Sequence, residues 1–423
     1  METTYLNDLS YKEKYNLATD EGTPAKILAI LAQDIDPRIR ESVARNENTP
    51  VEALDVLAKD KIYTIRRGTA FNESTKSGTL AMLAKDENWI VRWEVARNKN
   101  TPAEVLAMLA KDKDDVRCMV AANKNTSIEV LATLAKDENW SVREQVASNE
   151  STTTELLAVL ANDDVYDVRT AVAENENTSA DVLAMLAKDV DIDIRRTVAE
   201  NKNTRAETLV MLAQDEDYTV RWVVAENENT PVELLTALAK DEYSDVRGAV
   251  AGNKNTPEET LVKLAGDNDY NVRCTVANSK NTPAEILATL ANDEHEGVRE
   301  GVAYNEKTPL ELLTMLAKDK DSHVRWAVAL NKNTSVGELA VLAKDEDYNV
   351  RLAVASNSNT PLEILSQLAV DEEWCVREAV AENPHTPYNT LVMLTKDKNV
   401  SVRIRAEEAL QERTVKKEQN IGR

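Results

Sequence analysis

The side chains of this 423-residue chain that could do chemistry are three histidines, three cysteines, a set of acidic triplets and a recurring arginine. His295, His323 and His385 have no serine or cysteine spaced to form a nucleophile–base pair, and no glycine-rich phosphate loop accompanies them. Cys118, Cys274 and Cys375 are too few and too scattered for a disulfide framework or a metal cluster. Asp215-Glu216-Asp217, Asp267-Asn268-Asp269 and Asp345-Glu346-Asp347 have the D-x-D spacing of a calcium loop. They lack its following glycine and its distal bidentate glutamate. No cofactor and no metal is therefore expected, and no enzyme.

The arginine recurs because the chain does. A threonine returns at Thr23, Thr49, Thr75, Thr101, Thr126 and onward to Thr386, and every interval but one is 26 residues. The exception, Thr101 to Thr126, is 25. Fifteen repeats fill residues 23–410, leaving 1–22 as an N-terminal cap and 411–423 as a charged C-terminal tail. The array reads as one continuous domain, with no room for a separate catalytic one.

Each repeat approximates T-P-x-E-x-L-x-x-L-A-K-D-x-x-x-x-V-R-x-x-V-A-x-N-x-N. The threonine predicts an N-cap followed by proline at the first helical position, with Glu three residues on completing a capping box, as in Thr49/Glu52 and Thr230/Glu233. Leucines five and eight residues after the threonine share one face of this first helix, helix A, of about ten residues. A second helix, helix B, of about seven residues starts from a polar residue two before the arginine, such as Ser141 or Asn271. It closes on an asparagine, suited to a left-handed cap. Such short helices are marginal alone in water and must stack, which makes the fold an all-α solenoid.

Every repeat also carries an aspartate at the end of helix A and the arginine on the apolar face of helix B. A guanidinium in that position needs a carboxylate partner. Asp60, Arg66, Asp215, Arg221, Asp241 and Arg247 are members of this structural ladder, fifteen of each type matching one to one.

Individuality is left to the varying positions one, two and five residues after the arginine, of which the first and third, four apart, form an exposed ridge along successive B helices. It carries Arg67, Trp93 and Arg97 early, Trp222 and Glu226, then Gly248 with Gly252, and later Tyr304 and Trp326. The two glycines empty the ridge between Tyr218, Trp222 and Glu226 on one side and Tyr270 and Asn278 on the other, leaving a pocket. A second aromatic series (Tyr63, Trp89, Trp140, Tyr166, Tyr218, Tyr270, Tyr348, Trp374) lies just ahead of the helix B caps, as hydrophobic staples or as ligand contacts.

The repeat string resembles the leucine-rich repeat variant, a relative of HEAT-type helical repeats. Thr230-Pro231-Val232-Glu233 with Asp241, Val246-Arg247 and Val250-Ala251 shows it well. The resemblance implies a right-handed superhelix with helix B on its concave surface and a role as a binding scaffold. The 26-residue period is slightly long for the variant and shifts weight toward HEAT-like geometry. Some relatives hold a cysteine-bound iron–sulfur cluster, for which this chain has no cysteine grouping.

A formal net charge of −23 opposes approach to a phosphate backbone, so direct nucleic-acid binding is not expected. No apolar run reaches the length of a membrane span, and the amino terminus has no signal-peptide pattern, so a cytoplasmic monomer is expected. The leading expectation is a protein or peptide partner, with basic ones favoured, held by aromatic anchors in a negative field. The competing readings are an acidic decoy for a basic DNA-binding protein, a HEAT-like glycosylase and a structural spacer.

Overall fold

A computed structural model of the chain describes residue 6 and residues 9–421, the side chains of 414–421 excepted. Among the described residues every regular element is an α-helix. The chain divides into two compact parts, Met1–Thr208 and Leu209–Arg423. The first opens on helix Tyr11–Thr19, where Ser10 and Glu13 form a capping box. Helix pairs follow, from Ala25–Leu31 with Pro37–Arg45 to Ala180–Leu186 with Ile192–Glu200. The second part runs in the same pairs from Tyr218–Glu226 to Tyr388–Leu394, then ends on Val400–Ile421, a 22-residue helix that continues through most of the tail.

Helix A has seven residues and helix B nine, shifted from the expected ten and seven by the caps. Thr49 is not the N-cap. Pro50 accepts the first helical bonds, from the N–H groups of Ala53 and Leu54 at 2.9 and 3.1 Å. The Thr49 hydroxyl donates backwards to Val43 O, 2.6 Å away in the preceding helix B. Thr230 does the same to Val224 O, so neither forms a capping box with Glu52 or Glu233, which stay exposed. Side-chain capping of helix A comes from the next position where it is Ser or Thr, as at Ser127, Thr153, Ser179 and Ser335.

The N-cap of helix B likewise lies four residues before the arginine rather than two. Asn139 accepts from the N–H of Ser141 at 3.0 Å and Asp269 from that of Asn271 at 2.9 Å, which puts the expected caps inside the first turn. The aromatic series therefore occupies the first helical position, not the staple position before the cap.

The core follows the apolar spacing. In helix A the paired leucines are buried (Leu54, Leu57, Leu235, Leu238), and in helix B the valine before the arginine and the Val-Ala pair after it are fully buried, as in Val246, Val250 and Ala251. Each helix B packs chiefly on the helix B of the next repeat within its part.

Two polar ladders run beside this core. In the first, arginines within each part reach forward one repeat rather than pairing within their own. Arg66 Nε lies 2.5 Å from Asp86, Arg221 Nε 2.6 Å from Asp241 and Arg247 Nε 2.6 Å from Asp267, all bidentate. Asp60 receives Arg40 in the same way. The third guanidinium nitrogen donates to the backbone carbonyl of its own repeat's aspartate, as Arg221 Nη1 does to Asp215 O at 2.9 Å. This forward offset changes the two ends. Asp34 is met by Lys14 from the first helix, and Arg403 donates to Asp397 O and Lys398 O. In the 25-residue repeat the missing residue comes out of the A–B loop: Arg117 Nη1 reaches Asp112 O five residues back instead of six, and its pair with Asp137 is kept at 2.6 Å.

The second ladder uses the asparagine that closes helix B. Among the described residues no non-glycine backbone has positive φ, and Asn72 is extended at φ −66°, ψ 123°, so the left-handed cap does not form. The amide works sideways instead. Asn72 Nδ2 donates to Ala44 O and Asn46 O of the preceding repeat, at 3.0 and 2.8 Å, while its Oδ1 accepts from the N–H of Ser74. An αL turn would point this amide away from the carbonyls left open at the preceding helix end. Ser279 interrupts the run.

These pairs set a pH limit. Burial alone would raise the carboxyls of Asp60, Asp86, Asp137, Asp241 and Asp371. The hydrogen bonds from arginine and from the backbone N–H two residues on, with the guanidinium charge, outweigh it and hold each below the usual carboxylate range. A carboxyl depressed by folding contributes stability that is fully present above its unfolded value of about 3.9 and lost as pH falls through its folded value. Urea midpoints should therefore match at pH 7 and pH 5 and fall steeply below about pH 4. A large loss between pH 7 and pH 5 would contradict the ladder.

Candidate functional site

The ridge positions lie on the part of helix B left uncovered by its neighbours. In the first part of the chain, three expected site residues cluster. Arg67 Nε is 2.9 Å from Glu94 Oε1, and Arg97 Nη1 is 3.5 Å from Glu94 Oε2. Arg97 also lies over two rings, 5.7 Å from the centroids of both Phe71 and Trp93. Glu94, only 2 % exposed, stands two after the arginine, a varying position that lies off the ridge and usually holds a small or apolar residue, so the ridge spacing does not single it out. Gly68 makes the facing room: a methyl there would sit 3.1 Å from Ala44 Cβ.

In the second part, Tyr218, Trp222, Glu226 and Gly248 come together. They line an open cleft of about 790 Å³ with Thr219, Ser244, Asp245, Gly252, Asn271 and Thr275 among its other walls. Its floor is the helix Ser244–Gly252, where two ridge side chains are missing, and its sides are the helices Tyr218–Glu226 and Tyr270–Asn278. Tyr218 stacks on Tyr243, with centroids 4.4 Å apart and planes at 11°, which fixes one rim. Asp245, Ser244 and Tyr243 were missed by sequence reasoning because they precede the arginine, outside the ridge spacing. The remaining expected residues are elsewhere. Tyr270 stacks on His295 at 3.9 Å, and Tyr304 meets Trp326 edge-on at 5.5 Å.

The thiols have no nucleophilic setting. Burial, with Asp115 and Asp137 nearby, pushes the Cys118 thiol up to about 11, and burial raises Cys274 and Cys375 as well. In the acidic triplet at the start of the second part, Asp215 Oδ1 accepts from the N–H of Asp217, and Asp217 caps helix B through the N–H of Thr219. Among the described residues no helix is long and apolar enough to cross a membrane.

Residues 348–373 match the family model described as leucine rich repeat variant. No curated protein matches the chain. One solved structure, described as a leucine-rich repeat variant with a novel repetitive protein structural motif, is 29 % identical over 52 % of this chain and 87 % of its own, with a TM-score of 0.41. A chain from a structure of Kap95p binding to RanGDP is 11 % identical over 96 % of this chain and 56 % of its own, at a TM-score of 0.32. The matched stretch begins with helix B Tyr348–Ser356, runs through helix A Leu362–Leu368 and contains both members of the Arg351–Asp371 rung. One copy of the repeat, residues 348–373, thus matches the leucine-rich repeat variant.

Proposed function

We propose that the chain is a non-catalytic scaffold whose helix B face binds a protein or peptide partner, with the cleft over Gly248 and Gly252 as its main anchor point. One observation carries this reading. Glycine in the interior of a helix, as at Gly248, costs about 1 kcal/mol relative to alanine, so it needs a reason. At Gly68 and Gly301 packing supplies one, since a methyl would come within 3.1 Å of Ala44 Cβ and 3.0 Å of Ala277 Cβ. At Gly248 and Gly252 the nearest atoms to an added methyl belong to Thr275, at 4.0 and 3.6 Å. The fold does not require these two glycines, yet together they hold open a cleft beside Trp222 and Tyr218. Aromatic side chains around a recess are the composition of binding hot spots.

The reading extends to the rest of the face, where Arg67, Trp93, Arg97, Tyr270, Tyr304 and Trp326 would form secondary contacts. The acidic character of the chain supports a protein partner over direct contact with nucleic acid.

The test is a selection of peptides from a random library on the immobilised protein, followed by measurement on a Gly252→Leu variant. An added Cβ there meets Thr275 at an ordinary contact distance of 3.6 Å, so folding should be retained. The selected peptides should lose about tenfold or more in affinity, roughly 1.4 kcal/mol. Peptides indifferent to the substitution, or no enrichment at all, would overturn the reading.

A further inference from the structure

Helix A carries a row of side chains that the helix B reading leaves unused. In the first part of the chain the position seven residues after each threonine holds Val56, Met82, Met108, Thr133, Val159 and Met185. The five apolar members are 38–57 % exposed. The fold does not ask for them, since in the second part the same position also holds Ala237, Lys263, Thr289 and Gln367. Six of the chain's eight methionines nevertheless stand at it. A single exposed apolar side chain is ordinary, but a row of them along successive helices marks a contact surface. Methionine suits one, because its flexible thioether adapts to whatever it meets.

We propose that this face docks a second copy of the chain, through a two-fold axis running along the apolar row. The flanking charges carry the choice of occupant. On helix Ala103–Leu109, Glu104 lies four residues before Met108, and Lys111 lies three after it, just beyond the helix end. Helix Val51–Leu57 repeats this with Glu52, Val56 and Lys59, and helix Ala180–Leu186 with Asp181, Met185 and Lys188. All six charged residues are exposed. At these spacings the three side chains of each helix share one face. The acidic and basic rows therefore flank the apolar one at similar distances, about 6 and 4.5 Å along the helix axis. A two-fold axis along the apolar row lays each helix A antiparallel on its own counterpart. Met108 then meets Met108, and Glu104 comes opposite Lys111 of the second copy. Among the described residues no ion pair within the chain engages Glu52, Glu104, Lys59 or Lys111. An acidic partner would meet the glutamates and a basic one the lysines. A surface with the two rows in reverse order satisfies both, and an isologous contact supplies one from the same patch. The monomer expected from the sequence is then the dilute form. The row lies on helix A and shares no element with the cleft, so either reading survives the failure of the other.

Sedimentation velocity on the full chain, from about 1 to about 200 μM, should show the 47.0 kDa monomer giving way to a species of twice that mass. Met82→Lys with Met108→Lys should hold the protein monomeric at every concentration. Its circular dichroism and urea midpoint should stay unchanged, since Lys263 already occupies this position in the same fold. Glu52→Lys with Glu104→Lys sets lysine against lysine and should weaken association about tenfold or more. Adding Lys59→Glu with Lys111→Glu should restore it. A monomer throughout the range would overturn the second copy as occupant and leave the row to a different protein. A dimer indifferent to the methionine variant would put the contact elsewhere and overturn this face. Association that stays weak after the complete charge exchange would overturn the two-fold register.

Discussion

Replacing Arg221 with alanine should lower the stability of the repeats around it by about 3–5 kcal/mol, the usual cost of leaving one member of a buried ion pair alone. The side chains of Arg221 and Asp241 are 11 % and 8 % exposed, and Arg221 makes a bidentate contact to Asp241 while donating to Asp215 O and Glu216 O. Alanine removes all four bonds and leaves the carboxylate of the next repeat between packed helices. Because helix packing runs chiefly between neighbouring repeats, the loss should appear as local opening in hydrogen exchange as well as a lower urea midpoint. The pair can also be separated from the packing. Arg221→Met with Asp241→Leu removes both charges and should recover most of the loss, since a well-packed apolar pair often matches a buried ion pair. An unchanged midpoint for the single variant would mean that the ladder is decorative.

Asn331→Ala is the second large effect. Asn331 is 4 % exposed, and its Nδ2 donates to Ala303 O at 2.7 Å and Asn305 O at 3.0 Å. Its Oδ1 accepts from the N–H of Asn333 at 2.9 Å. The Ala303 carbonyl lies in the last turn of its helix, beyond the reach of intrahelical donors. Truncation strands that acceptor and the Asn333 donor together, for an expected cost of about 2–4 kcal/mol. Asn331→Asp is the sharper comparison. It keeps the acceptor for Asn333 but turns a carboxylate oxygen toward two carbonyls, so at neutral pH it should destabilise at least as much as alanine. If the aspartate variant matched the native protein in a urea titration, the amide would not be the bridging group.

The repeat, its two helices and their buried faces were legible because burial follows apolar spacing, and Leu235, Leu238, Val246 and Val250 alternate at the helical period. The caps were less legible. Thr-Pro fits an N-cap with its first helical residue as well as the two positions one step earlier, and only the Thr49 hydroxyl, committed to Val43 O, decides between them. The partner of each arginine was hidden for a different reason. A pattern repeated every 26 residues looks the same whether a pair closes within one copy or across two, so Arg66 with Asp60 and Arg66 with Asp86 are equivalent on paper. The asparagines were misread because the residue type suits a left-handed turn and a lateral amide equally. In the cleft, the gap at Gly248 and Gly252 was visible as missing side chains. The Tyr218–Tyr243 stack that forms its rim was not, since it joins residues from outside the ridge.

The forward reach of every rung has an evolutionary reading. Each repeat offers its successor an arginine and two carbonyls, and offers its predecessor an aspartate and an asparagine amide. Deleting or duplicating a whole copy inside either part therefore rejoins like with like, and recombination between copies leaves no unmatched seam. The one single-residue deletion falls in the A–B loop, in the copy beginning at Thr101. Copy number and the order of ridge residues can thus drift as a shuffled deck while the joints stay constant.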